Sequence, residues 1–204
     1  MPTTTGKLAL ADIADLRAYE RERDEFRRHV IALKKRRRVH LGPVMTLVFE
    51  NRDTIRFQIQ EMARIEKLIT DEAIQGELDT YNPLVPDPGQ LCATVFLELT
   101  SDEELRQWLP KLVGIERSVS LRLGDGPAAR EVRAQPEAAH ADQLTREEIT
   151  ASVHYIWWQL DADDVAAFAT GPVHLVVDHP DYVYDVELGP ATFQELLADL
   201  RTPG

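Results

Sequence analysis

The first forty residues place apolar side chains at the period of a helix. Between Asp12 and about Arg38, apolar positions recur every three or four residues and mostly keep to one face, with Arg23 as an exception. Asp12 is a suitable N-cap, and acidic residues precede basic ones along the segment, as the helix dipole favours. The pattern predicts one long amphipathic helix that ends in five cations, "KKRRR", at residues 34–38.

The following segments change from a strand pattern to a helical one and then to a connector. Residues 39–50 are rich in β-forming side chains and are predicted to be a strand that bends at Gly42–Pro43. A second helix is predicted from Asp53 or Thr54 towards Leu78, with a break near Gly76. Residues 82–90 hold three prolines and a glycine, which indicates an extended connector.

The second half contains the pattern strand, acid-capped short helix, strand twice, at residues 93–123 and 152–178. Such a repetition indicates a duplicated unit. A final strand and helix are predicted at 182–188 and 191–200, and a surface loop at 135–143. The expected fold is α+β: N-terminal long helices with a bent strand, followed by a C-terminal mixed sheet built from the two strand–helix–strand units.

Charge also divides the chain into an N-terminal and a C-terminal part. Of 204 residues with a formal net charge of −12, residues 1–70 carry 15 Lys and Arg against 10 Asp and Glu, and the remainder carries 8 against 25. We therefore predict three parts: a basic helical region (1–81), a proline-rich connector (82–90) and an acidic α+β region (91–204). One compact domain overall is the alternative.

Other compositional features narrow the functional classes. No apolar run reaches the length of a membrane span, and a cytoplasmic protein is expected. Cys92 is the only cysteine, so internal disulfides are excluded, and its apolar surroundings predict a buried, inert thiol. The chain has no GxGxxG, Walker or GxSxG motif, so no particular cofactor or reaction is indicated.

The basic run has three interpretations. Its cations can simply occupy the solvated C-terminal end of the helix, where the helix dipole favours positive charge. They can form a docking surface for an acidic protein partner, or for the acidic half of a second copy in a homo-oligomer. Nucleic-acid binding is disfavoured by the 25 acidic residues that follow. The candidate docking residues are Arg23, Arg27, Lys34, Arg36, Arg37 and Arg38.

Carboxylates and a histidine in the first half suggest an alternative function, a metal-dependent oxidoreductase or hydrolase. Glu50 ends the predicted strand, Glu61 lies on the following helix, and His40 is on the same strand as Glu50. In an extended strand, His40 and Glu50 would be about 33 Å apart. They could share a metal ion only if the Gly42–Pro43 bend folds the strand back.

The run from Arg23 to Lys34, "RRVHLGPVMTLVFENRDT" and "QIQEMARIE" resemble a bacterial family known as domain of unknown function three-five-zero-one. The similarity extends over most of the chain. It implies no activity and no functional residues. It implies a genomic setting near rubrerythrin and an iron–sulfur oxidoreductase. We therefore expect an accessory or docking protein in a bacterial redox or oxidative-stress system, with an acidic redox protein as its partner.

Overall fold

The structure is a computed structural model that describes residues 6–137 and 149–201. Most of the surface loop predicted at 135–143 lies outside these residues, but Gln135–Pro136 form a short edge strand instead of a loop. None of the helices in the described ranges combines the length and the apolar character needed to cross a membrane.

The first helix, α1 (Leu16–Arg36), begins later than predicted. Its N-cap is Asp15, whose carboxylate accepts hydrogen bonds from the backbone N–H groups of Arg17 and Ala18. Asp12 instead lies in a short 3₁₀ turn, where its side chain bonds the N–H of Ala9. The helix ends at Arg36, within the basic run.

The predicted bent strand is a hairpin of β1 (Arg38–His40) and β2 (Met45–Glu50). Gly42 has φ +77° at the turn, and a Cβ there would lie 2.5 Å from the Tyr182 hydroxyl. That hydroxyl donates to the carbonyl of Leu41 at 2.6 Å and accepts from the N–H of Val44 at 3.2 Å. The tyrosine thus fixes the tip of the hairpin.

The second predicted helix is two helices, α2 (Arg52–Glu66) and α3 (Asp71–Tyr81). The break is at Lys67, which has φ 56°, rather than at Gly76, which lies inside α3. The remaining elements are β3 (Gln90–Leu97), α4 (Asp102–Trp108), β4 (Val119–Leu123), β5 (Arg130–Arg133), β6 (Gln135–Pro136), β7 (Val153–Gln159), α5 (Ala162–Thr170), β8 (Val173–His179), β9 (Tyr182–Glu187) and α6 (Pro190–Arg201).

The strands form two antiparallel sheets, ordered β1-β2-β3-β7-β6 and β5-β4-β8-β9 in the described residues. The α+β class is confirmed, but the single mixed sheet is wrong, because every strand pair within residues 6–137 and 149–201 is antiparallel. Both predicted units exist, as β3–α4–β4 and β7–α5–β8. Each contributes its first strand to one sheet and its second strand to the other. Strands from both sides of the 82–90 connector share the first sheet.

The main core lies between the two sheets, where Phe49 and Trp158 pack with ring centroids 5.6 Å apart. A second apolar cluster on the opposite face of the first sheet joins α2 and α3 to that sheet and includes Cys92, which is buried as predicted. Burial raises the pKa of this thiol well above its usual range. Helix α1 packs against α2 and α6 with one face and leaves the opposite face to solvent.

Candidate docking surface

Arg23 points into the protein rather than out of it. Its Nε and Nη2 donate to the two carboxylate oxygens of Glu61 on α2, at 2.8 and 2.9 Å. The hydroxyl of the fully buried Tyr19 donates to the same carboxylate at 2.7 Å. The Arg23 guanidinium lowers the pKa of Glu61 to about 2, against the opposing effect of burial. Arg23 therefore joins α1 to α2, and its guanidinium is already engaged by Glu61 within the chain.

Arg37 is the most deeply buried cation of the predicted docking set, with 1% of its surface exposed. It forms an ion pair with Asp199 and lies 3.5 Å from Glu195, both on α6. Its Nη1 also lies 3.4 Å from the carbonyl oxygens of Phe49 and Glu50. Burial raises the pKa of Asp199, and the charge of Arg37 opposes that rise. Arg37 thus anchors the C-terminal helix to the start of β1.

The residues on either side of Arg37 are also engaged within the chain. Arg36 donates from Nε to Glu195 at 2.5 Å, and its carbonyl accepts from the Thr192 hydroxyl at 2.7 Å. Arg38 lies 3.4 Å from Glu98, an exposed pair that contributes little to stability. The three arginines of the basic run all have carboxylate partners in the same chain.

Arg27 and Lys34, in contrast, form no ion pair with any carboxylate in the described residues. Two neighbours that sequence reasoning missed share this property. Lys35 is exposed and has no carboxylate partner in the part of the chain that the structure describes. In the same residues, Arg28 donates from Nε to the carbonyl of Asp24 at 3.2 Å and forms no ion pair. These four cations occupy positions i−4, i−3, i+3 and i+4 around Ile31, so helical spacing was the signal that could have identified them. We call Arg27, Arg28, Ile31, Lys34 and Lys35 the α1 patch.

The α1 patch is a local concentration of positive charge on an acidic protein. Arg27 and Lys34 are seven residues apart, about 10 Å along the helix axis, which is close to the Debye length at physiological salt. The nearest acid on the same face, Asp24, makes no ion pair with Arg28. An anionic partner at this face would relieve the mutual repulsion of the cations without breaking an internal ion pair.

The three candidate metal ligands occupy separate environments. Glu61 is held by Arg23 and Tyr19, and His40 Nδ1 lies 3.0 Å from the Thr46 hydroxyl. Glu50 is 6% exposed and accepts a hydrogen bond from the Thr94 hydroxyl at 2.6 Å.

The Gly42–Pro43 turn does fold the strand back, but it places His40 opposite Thr46. Thr46 is four residues, or about 13 Å, from Glu50 along β2. Across residues 6–137 and 149–201, no group of three or more His, Cys, Asp or Glu side chains is arranged to hold a metal ion. The structure therefore does not bring the three candidate ligands together.

Comparison with known proteins agrees with the fold and is silent on function. The family model "Protein of unknown function (DUF3501)" matches residues 7–200. The crystal structure of a novel protein of unknown function from Burkholderia pseudomallei K96243 is 37% identical and superposes with a TM-score of 0.86. The match covers 96% of this chain and 100% of that one. No curated protein matches the chain.

Proposed function

We propose that this chain, which belongs to the DUF3501 family of proteins of unknown function, is a cytoplasmic docking protein. It binds an acidic protein through the α1 patch. The expected partner is an acidic redox protein, because the family resemblance implies a genomic setting near rubrerythrin and an iron–sulfur oxidoreductase. The proposed contact residues keep Arg27 and Lys34 from the original set and add Arg28 and Lys35.

One observation carries this proposal. The basic run and the helix before it hold cations of two kinds: Arg23, Arg36 and Arg37 make close ion pairs inside the chain, whereas the cations around Ile31 make none with a carboxylate in the described residues. The chain has 35 acidic residues against 23 Lys and Arg, so carboxylates with which its own cations could pair are abundant. A cluster of cations that lack carboxylate partners among the described residues is suited to attract an acidic surface.

Other occupants fit this face less well. A second copy bound about a two-fold axis through the patch would set cations against cations. Nucleic acid would approach four cations on a molecule whose net charge is −12, so its phosphates would also meet long-range repulsion. An acidic protein has a lower charge density than a nucleic acid and can match the patch locally.

The test is a binding measurement with a purified bacterial rubrerythrin as the acidic redox protein, at about 20 mM and 300 mM salt. We expect the double variant Arg27→Gln/Lys34→Gln to bind about tenfold more weakly at low salt. Each of the two lost charge pairs is exposed and contributes roughly 0.7 kcal/mol to binding. The matched control is Lys67→Gln/Arg106→Gln, which changes the net charge equally at two exposed cations elsewhere.

The control variant should bind like the wild type, and binding of the wild type should weaken at high salt. Absence of binding at low salt would defeat this choice of partner. Equal losses in both double variants would show that net charge, and not the α1 patch, controls association.

A further inference from the structure

Ile31 is unusual among the side chains of α1, because it is a large apolar residue with 51% of its surface exposed. Its four nearest neighbours along the same helix surface are the four cations of the α1 patch. The buried stripe of α1 runs through Tyr19, Val30 and Leu33, and Ile31 lies off it. Packing within the chain therefore does not explain an isoleucine at this position.

An apolar side chain surrounded by charges has the layout of a small protein interface. Interface centres are apolar and desolvated, and charged residues form the rim. A purely electrostatic ligand would satisfy the cations but leave Ile31 in water. A ligand that also covers Ile31 gains the burial of its exposed half, which corresponds to about five- to tenfold in affinity.

We infer that the partner's docking element is an acidic amphipathic helix, with one apolar side chain that covers Ile31 and carboxylates one turn before and after it. This inference rests on the proposed docking function and specifies the chemistry of the partner. A helix with an apolar residue at position i and acids at i−4, i−3, i+3 and i+4 repeats the spacing of the α1 patch with opposite charge. Two such helices can lie side by side at about 8–10 Å, so that the apolar residues meet between the charge pairs.

The probes are two synthetic alanine-based helical peptides. One carries leucine flanked by glutamate at the four positions named above, and the other replaces only that leucine with serine. Both have the same charge, so the part of the affinity difference that Ile31→Ser abolishes reports the apolar contact rather than a difference in peptide helicity. Binding to the 204-residue chain would be measured by fluorescence anisotropy at low salt.

We expect the leucine peptide to bind the wild type about fivefold more tightly than the serine peptide. Ile31→Ser should remove this difference while leaving the affinity for the serine peptide unchanged. Ile65→Ser is the matched control, since Ile65 is also an exposed isoleucine on a helix, with 64% of its surface accessible. That variant should keep the fivefold difference, and circular dichroism would check that both variants are folded.

The outcomes separate the two proposals. If both peptides bind the wild type equally, and Arg27→Gln/Lys34→Gln weakens both, the inference about Ile31 is wrong and the electrostatic docking surface stands. If neither peptide binds at low salt, both proposals fail. If single-stranded oligothymidylate binds the α1 patch more tightly than either peptide, the patch is a phosphate-binding surface and both proposals are overturned.

Discussion

Replacing Arg37 by methionine should destabilise the protein severely, although the residue lies in a run of cations that would be expected at the surface. Arg37 is 1% exposed and carries the charge that faces Asp199 and Glu195 on α6. Methionine keeps much of the side-chain volume, so the main loss is electrostatic. Glu195 retains Arg36, whereas Asp199 is left in a buried site without a cation.

Removing one partner of a buried ion pair typically costs about 3–5 kcal/mol. We expect the lower end, about 3 kcal/mol, because the Asp199 side chain is 23% exposed and can be partly rehydrated. For a chain of this length, that loss corresponds to a decrease in Tm of about 6–12 °C. Urea unfolding followed by tryptophan fluorescence would measure the free energy of unfolding directly.

The control and the double variant make this prediction specific. Lys35→Met removes a charge two residues away on the exposed face and should change stability by less than about 0.5 kcal/mol. Asp199→Asn, added to Arg37→Met, removes the stranded charge and should recover at least about 1 kcal/mol. If Arg37→Met is tolerated as well as Lys35→Met, the buried ion pair does not anchor α6.

The ion pair between Arg37 and Asp199 also determines how the stability of Arg37→Met depends on pH. Burial already raises the pKa of Asp199, and losing Arg37 removes the charge that opposes this rise. Below the folded-state pKa, Asp199 is protonated and neutral, so the negative charge that Arg37→Met leaves without a cation is removed. The stability deficit of Arg37→Met should therefore shrink as the pH falls. A deficit that is constant between pH 7 and pH 4 would contradict this assignment.

Two further predictions concern other ionisable groups. Because Arg23 holds the pKa of Glu61 at about 2, against 4.5 for an ordinary glutamate, the stability from this pair is complete above about pH 4.5 and is lost as the pH falls towards 2. Glu61→Gln should cost about 1–2 kcal/mol at pH 7 after allowance for partial exposure, and an equal stability of the two proteins at pH 7 would refute this role. His154, with Nε2 2.8 Å from the carbonyl of Ala151, has its pKa lowered by burial, with the charge of Glu116 opposing. Stability should therefore decrease as the pH falls below about 6.5, and thermal unfolding of His154→Gln from pH 7.5 to 5.5 should show a smaller decrease than the wild type.

The long helix and the strand–helix–strand units could be predicted from sequence because their signals are local. Apolar spacing located α1, and acidic first turns located α4 and α5. The pairing of the strands could not be predicted, because β3 bonds to β2 on one side and to β7, about 60 residues later, on the other. No local pattern distinguishes one mixed sheet from two antiparallel sheets.

The sequence partly indicated which cationic side chains in and directly after α1 point into the protein. Arg23 and Arg37 continue the three- and four-residue spacing of the buried stripe formed by Tyr19, Val30 and Leu33. This spacing could have indicated that both arginines point inwards, although the sequence analysis counted them as docking residues, and both are paired within the chain in the structure. Their carboxylate partners are distant in sequence, up to about 160 residues for Asp199, so the acids that neutralise them could not be identified in advance.

Chemical footprinting of lysines tests the central claim, that the α1 patch is the face a partner covers. The protein would be acetylated briefly with and without saturating amounts of an acidic partner, and the modification of each lysine quantified by mass spectrometry. The account predicts that Lys35 and Lys34 become protected, while Lys67 and Lys111, which lie elsewhere on the surface, react at unchanged rates. Undiminished acetylation of Lys35 in a complex that has formed would contradict it.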